Sequence, residues 1–129
     1  MKESKEQRAG SPLVVSRTTA KAEQWAAGCL AWRLVTEDAL AVAEEAMAPG
    51  TQEAWHVHDR TTQYFHVLAG ELDVRTADGV RSLGPGEGLV VRPGQPHQAA
   101  VTASAGATFL VISAPSSSGD RRAVAAPSS

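Results

Sequence analysis

Turn-forming residues interrupt this chain so often that no long helix fits between them. Pro49-Gly50, Ala69-Gly70, Asp78-Gly79, Gly84-Pro85-Gly86 and Pro93-Gly94 separate short apolar segments. These segments are 13–17 (LVVSR), 30–35 (LAWRLV), 64–68 (YFHVL), 71–75 (ELDVR), 89–91 (LVV) and 108–113 (TFLVIS). Strand-length runs broken by Gly and Pro about every dozen residues predict an all-β sandwich or barrel. One stretch argues locally against this: residues 36–48 (TEDALAVAEEAMA) are rich in Ala, Leu, Glu and Met, the strong helix formers. Its place just before the histidine pair described below favours a strand, and it is read as one.

The chain has 129 residues, enough for one compact domain. Alanine accounts for 23 residues, so the large apolar set is modest and the core must be small or enclosed by a curved sheet. The ends, 1–12 and 114–129, are polar or rich in Ser, Pro and Ala and bury little apolar surface. Both are expected to be mobile in part, flanking a folded domain over 13–113.

A formal net charge of −2 gives no electrostatic footprint for nucleic acid or an anionic membrane. No apolar run approaches the ~20 residues of a spanning helix. Lys2, Lys5 and Arg8 near the N-terminus are not followed by an apolar stretch, which argues against a signal peptide and for a cytoplasmic location. The single Cys29 excludes an internal disulfide or a cysteine metal cluster and is expected to be a small buried hydrophobe.

Three of the four histidines carry the chemistry. His56 and His58 are two residues apart, a spacing that projects both rings from one face of a strand. His97 follows the turn residues Pro93, Gly94 and Pro96, which allow the chain to re-enter a strand with this ring directed back at the pair. The spacing Gly50-x5-His56-x-His58-x4-Gln63-x6-Gly70, followed by Gly86, Gly94 and His97, resembles the two motifs of the cupins over residues 39–113. Three positions depart from the family pattern: Gln63 replaces its carboxylate ligand, Arg92 its proline and Val101 its asparagine.

The resemblance implies a single-domain jelly-roll barrel, the double-stranded β-helix, with residues 71–86 as the inter-motif hairpin. It also implies one divalent metal (Zn, Fe, Ni, Cu, Co or Mn) held by His56, His58, His97 and position 63. Gln63 either ligates the metal through its amide oxygen or hydrogen-bonds a metal-bound water. A neutral amide leaves the metal its full double charge, where a glutamate would remove one unit. Metal affinity is expected to fall as pH drops through the ordinary imidazole range near ~6.5.

On strand parity, Phe65 and Val67 share the face of Gln63 and should line the cavity, whereas His66 and Trp55 should point away. Asp59, Arg60 and Arg92 read as loop charges. No Asp or Glu at ligand parity within the motif offers an acid/base pair. These features favour a metal-dependent enzyme that acts on a small oxygenated or anionic metabolite as a cyclase, isomerase or lyase. A cupin dioxygenase using Fe(II), Ni or Cu, and a cupin that binds a small molecule without turnover, are the alternatives. Because cupins commonly pair through their sheets, the resemblance also implies a homodimer in which 13–17 and 30–35 extend a neighbour's sheet.

Overall fold

The computed structural model describes residues 10–128. Eleven strands follow in order: β1 (Ala22–Ala26), β2 (Cys29–Thr36), β3 (Ala41–Met47), β4 (His56–His58), β5 (Thr62–Gly70), β6 (Leu72–Thr76), β7 (Gly79–Leu83), β8 (Gly88–Val91), β9 (His97–Ala100), β10 (Ala107–Ala114) and β11 (Arg121–Ala123). They form two antiparallel sheets, ordered β1-β2-β3-β10-β5-β8 and β11-β4-β9-β6-β7. The fold is the all-β jelly roll expected, and no helix among the described residues is long and apolar enough to cross a membrane.

Residues 41–47 form a strand despite their helical composition. β3 pairs with β2 on one side and β10 on the other, with Glu45 opposite both Ala31 and Phe109. Two partner strands and the inward burial of Ala43 and Met47 outweigh local propensity. The core between the sheets is built from Phe65, Val67, Leu72, Val74, Val91, Val101 and Phe109, with Cys29 buried beside Met47.

Gly70 marks the point where the chain leaves the first sheet for the second. Its φ is +77°, and a Cβ there would collide with the backbone oxygen of Gly106. Only glycine suits both the left-handed backbone and that approach. The glycine that closes the first histidine motif is thus a corner of the barrel.

Two expectations change. Residues 13–17 form no strand, and Leu13, Val14 and Val15 are exposed. The segment ends in a turn at 16–20 closed by Ser16 and Thr19, and Arg17 pairs with Glu44 and lies over the Trp32 ring. Residues 114–129, expected to be a mobile tail, supply β11, which pairs with β4, and the buried Asp120. Long-range pairing fixes this stretch where its composition alone would not. The expectation for 1–12 falls largely on residues outside those described.

Candidate metal centre

β4 and β9 are adjacent and antiparallel, with His56 directly opposite His97. His58 lies two residues along β4 on the same face. Ring centroids are 4.2 Å apart for His56 and His97, 5.0 Å for His56 and His58, and 5.6 Å for His58 and His97. All three rings are buried, and one nitrogen from each lies within 4.8 Å of the other two. The structure therefore brings together the three histidines that the sequence singled out.

Their hydrogen bonds fix which nitrogen is available. Nδ1 of His56 bonds the carbonyl of Ala54 at 2.9 Å, Nδ1 of His58 that of Asp120 at 3.0 Å, and Nδ1 of His97 that of Gln95 at 3.0 Å. A carbonyl oxygen only accepts, so each Nδ1 carries the hydrogen and each neutral ring presents Nε2 as a bare lone pair. Nε2 of His58 is buried without any hydrogen-bond partner, a costly state for a polar atom that a bound cation relieves. Main-chain carbonyls on the outer nitrogens are the supports that metal-binding histidines ordinarily have. By the chemistry of this donor set, the site fits a divalent metal.

Gln63, on β5 of the opposite sheet, is buried and reaches the same point. Its Oε1 lies 3.1 Å from Nε2 of His97, and its Nε2 donates to the hydroxyl of Ser113 at 3.1 Å. Phe65 lies edge-on to His97, with centroids 5.9 Å apart, and lines the cavity as expected. Val67 has the parity expected of it but lies deeper, fully buried in the apolar core and outside the cavity. His66 turns to the other face, where its Nδ1 meets the hydroxyl of Tyr64 at 2.8 Å. Asp59, Arg60 and Arg92 lie in exposed loops, in keeping with the sequence reading.

The cavity has a volume of about 550 Å³, and its walls include side chains that the motif did not indicate. Glu45 reaches it from β3, Glu53 from the segment before β4, Arg33 from β2 and Arg121 from β11. Burial pushes the Glu45 carboxyl up to about 7; the Glu53 charge adds to this, and Arg33 and Arg121 oppose it. Burial likewise raises Glu53 to about 7, against the N–H of Ala99, which donates to it at 2.9 Å, and the charge of Arg121. The reading that the carboxylates offer no acid/base pair is therefore corrected: two face the site, Glu45 from outside the motif and Glu53 from its Gly50–His56 interval, off the ligand parity. Glu45 had a signal in the alternation Ala43-Glu45-Met47, which places it inward once residues 41–47 are a strand. Arg121 had none, because it lies in the stretch read as a tail.

Burial also pushes His56 down to about 3 and His97 to about 4, despite the carbonyls that favour their protonated forms. The protonation expected near pH 6.5 is thus displaced well to the acid side for these two imidazoles.

A model described as a cupin domain matches residues 43–113. Among curated proteins, none matches the chain. Solved structures resemble it throughout the barrel. The polyketide cyclase RemF from Streptomyces resistomycificus is 23% identical, with a TM-score of 0.75 over 89% of this chain and 87% of that one. KdgF from a Halomonas species is 18% identical, with a TM-score of 0.73 over 82% and 96%. A sugar phosphate isomerase of the cupin superfamily from Silicibacter pomeroyi is 19% identical, with a TM-score of 0.70 over 81% and 76%. At these identities the likeness is one of fold.

Proposed function

The chain belongs to the cupin family, and from that membership and its site we propose that it is a metal-dependent enzyme acting on a small, oxygenated, anionic metabolite by cyclisation, isomerisation or elimination. One observation carries this reading: three bare imidazole nitrogens converge beside a neutral amide in a cavity that also holds Glu45 and Arg121. A divalent ion held by His56, His58 and His97, with Gln63 as a fourth donor, supplies a Lewis acid whose double charge no carboxylate ligand reduces. The polyketide cyclase and the sugar phosphate isomerase that share the fold fall, by description, in two of these three reaction classes.

The chain's own side chains supply the rest. Arg121 and Arg33 give the anionic part of a substrate its counter-charge at the cavity wall. Phe65, Phe109 and Val111 form an apolar side that limits water around the reacting atoms. Ser113 holds the amide nitrogen of Gln63 and keeps its oxygen turned toward the imidazoles. Glu53 is tied to Ala99 and stands 3.9 Å from Nδ1 of His56, so it is a fixed neighbour of that ligand. Glu45 is the proton carrier, because a carboxyl that titrates near neutrality can both take and return a proton.

The test is turnover of small hydroxy- and oxo-carboxylates by zinc-loaded protein without oxygen, followed by NMR. Product formation is expected. Turnover that requires iron and consumes oxygen would make the protein a dioxygenase, and binding without product under any metal loading would make it a non-catalytic binder.

A further inference from the structure

The three histidines are not supported alike. His56 and His97 bond carbonyls two residues before them, Ala54 and Gln95, so their rings are set by local backbone. His58 bonds the carbonyl of Asp120, 62 residues away. The hydrogen bond that orients its ring therefore depends on docking of the C-terminal segment.

The docking is concentrated at Asp120. Its carboxylate accepts three consecutive backbone N–H groups, from Asp59 at 3.1 Å, Arg60 at 2.9 Å and Thr61 at 3.0 Å, in the turn that joins β4 to β5. These donors hold the carboxyl at about 2, below its ordinary value, with the Arg60 N–H contributing most. From Asp120 the chain runs into β11, with Arg121 opposite His58 and Ala123 opposite His56. Arg122 grips Asp59 with two bonds, at 3.2 and 3.0 Å, and the N–H of Val124 reaches the carbonyl of Trp55 at 3.1 Å. β11 is only three residues long and wholly exposed, so apolar burial contributes little to holding it. Polar contacts hold it in place, and Asp120 contributes three of them at the end next to His58.

We propose that Asp120 is a positioning residue of the metal centre, and that docking of the C-terminal strand and binding of a divalent cation favour one another through His58. The inference rests on the reading that His56, His58 and His97 hold a metal. Coupling of this kind is reciprocal: whatever factor the docked strand adds to metal affinity, the metal adds to docking. Outer-sphere supports of metal ligands are typically worth about 10–100-fold in affinity, which sets the size of the effect.

The experiment uses zinc and the full-length chain. In the wild type, hydrogen exchange over residues 121–124 should slow on zinc addition, while exchange in the β6–β7 hairpin should not change. Asp120→Ala should weaken zinc binding by about 10–100-fold in competition with a chelator. Asp120→Asn, which keeps one accepting oxygen, should recover part of the loss, and His58→Ala should abolish the protection of 121–124. Zinc binding by Asp120→Ala at wild-type strength, or exchange over 121–124 that is indifferent to zinc bound by the wild type, would overturn the coupling and leave the metal reading intact. If Asp120→Ala does not fold, the wild-type exchange result decides. A wild type that binds no zinc would overturn the metal reading and this inference with it.

Discussion

Nε2 of His97 and Oε1 of Gln63 stand 3.1 Å apart, two lone pairs with no hydrogen between them. The ring's hydrogen is committed to Gln95 and the amide's hydrogens lie on its other arm, directed at Ser113. Facing acceptors repel, and a cation bound between the imidazoles would relieve them. A carboxylate at position 63 would attract a cation more strongly and would also remove one unit of the metal's net charge. Gln63→Glu should therefore raise zinc affinity by roughly 10–100-fold, the scale on which polar groups around a metal act, while slowing the Lewis-acid reaction. Chelator competition and steady-state rates measure the two effects. A rate that rises with affinity would point instead to oxygen chemistry or to a hydroxide-generating role.

Glu45 should separate chemistry from metal binding. It lines the cavity from β3, in a different sheet from all three imidazoles. Glu45→Gln keeps the volume and removes the titrating group, so turnover should fall on the order of 10²–10⁴-fold, the usual worth of a positioned acid or base. Zinc content after purification should match the wild type. His58→Ala should do the reverse and lose the metal first. If Glu45→Gln lost metal along with activity, the residue would be part of the binding site and not the proton carrier.

The centre was legible in the sequence because its information is local. A two-residue spacing in a strand fixes the face shared by His56 and His58, and glycines such as Gly70 fix where the strands end. Parity gives the face of a residue but not its depth, which is why Phe65 lines the cavity while Val67 on the same face is buried in the core. Glu45 was obscured by a composition that reads as helix until two neighbouring strands impose the extended backbone. Asp120 and Arg121 were beyond local reasoning: Asp120 bonds Thr61 and Arg121 stands opposite His58 across the β4–β11 pairing, partners about sixty residues away that belong to no shared pattern. Apolar character misled at Leu13, Val14 and Val15, where it marks surface and not a strand.

That surface bears on assembly. β1 is an edge of the six-stranded sheet, all five of its residues are exposed, and Trp25 projects from it. An unpaired edge strand, and separately the exposed aliphatic side chains of 13–15, are each a ready surface for a second copy. The chain is expected to be a homodimer in light scattering at working concentration, and Val14→Asp should shift it toward monomer. A monomeric wild type would contradict this.

The metal-free protein should show an unusual dependence of stability on pH, because its buried groups act in opposite directions. His56 and His97 titrate at about 3 and about 4 when folded, against 6.5 ordinarily, so below 6.5 the unfolded chain binds protons that the folded one refuses. Their contribution is complete above 6.5 and is lost as pH falls toward 4 and then 3. Glu45 and Glu53 titrate at about 7 when folded, against 4.5 ordinarily, so the folded chain keeps protons that the unfolded one has shed. Their contribution is complete below 4.5 and is lost as pH rises to about 7. Between about 4.5 and 6.5 the two pairs offset one another, and urea midpoints should be nearly flat. Below 4.5 only the imidazole effect changes, joined by that of Asp120 as pH falls from 3.8 toward 2, and stability should drop. Glu45→Gln removes one of the opposing carboxyls, so its midpoint should gain on the wild type as pH rises from about 4.5 to 7. A difference between the two proteins that stayed constant over that interval would show that Glu45 is ionised at its ordinary value and does not carry the proton at neutral pH.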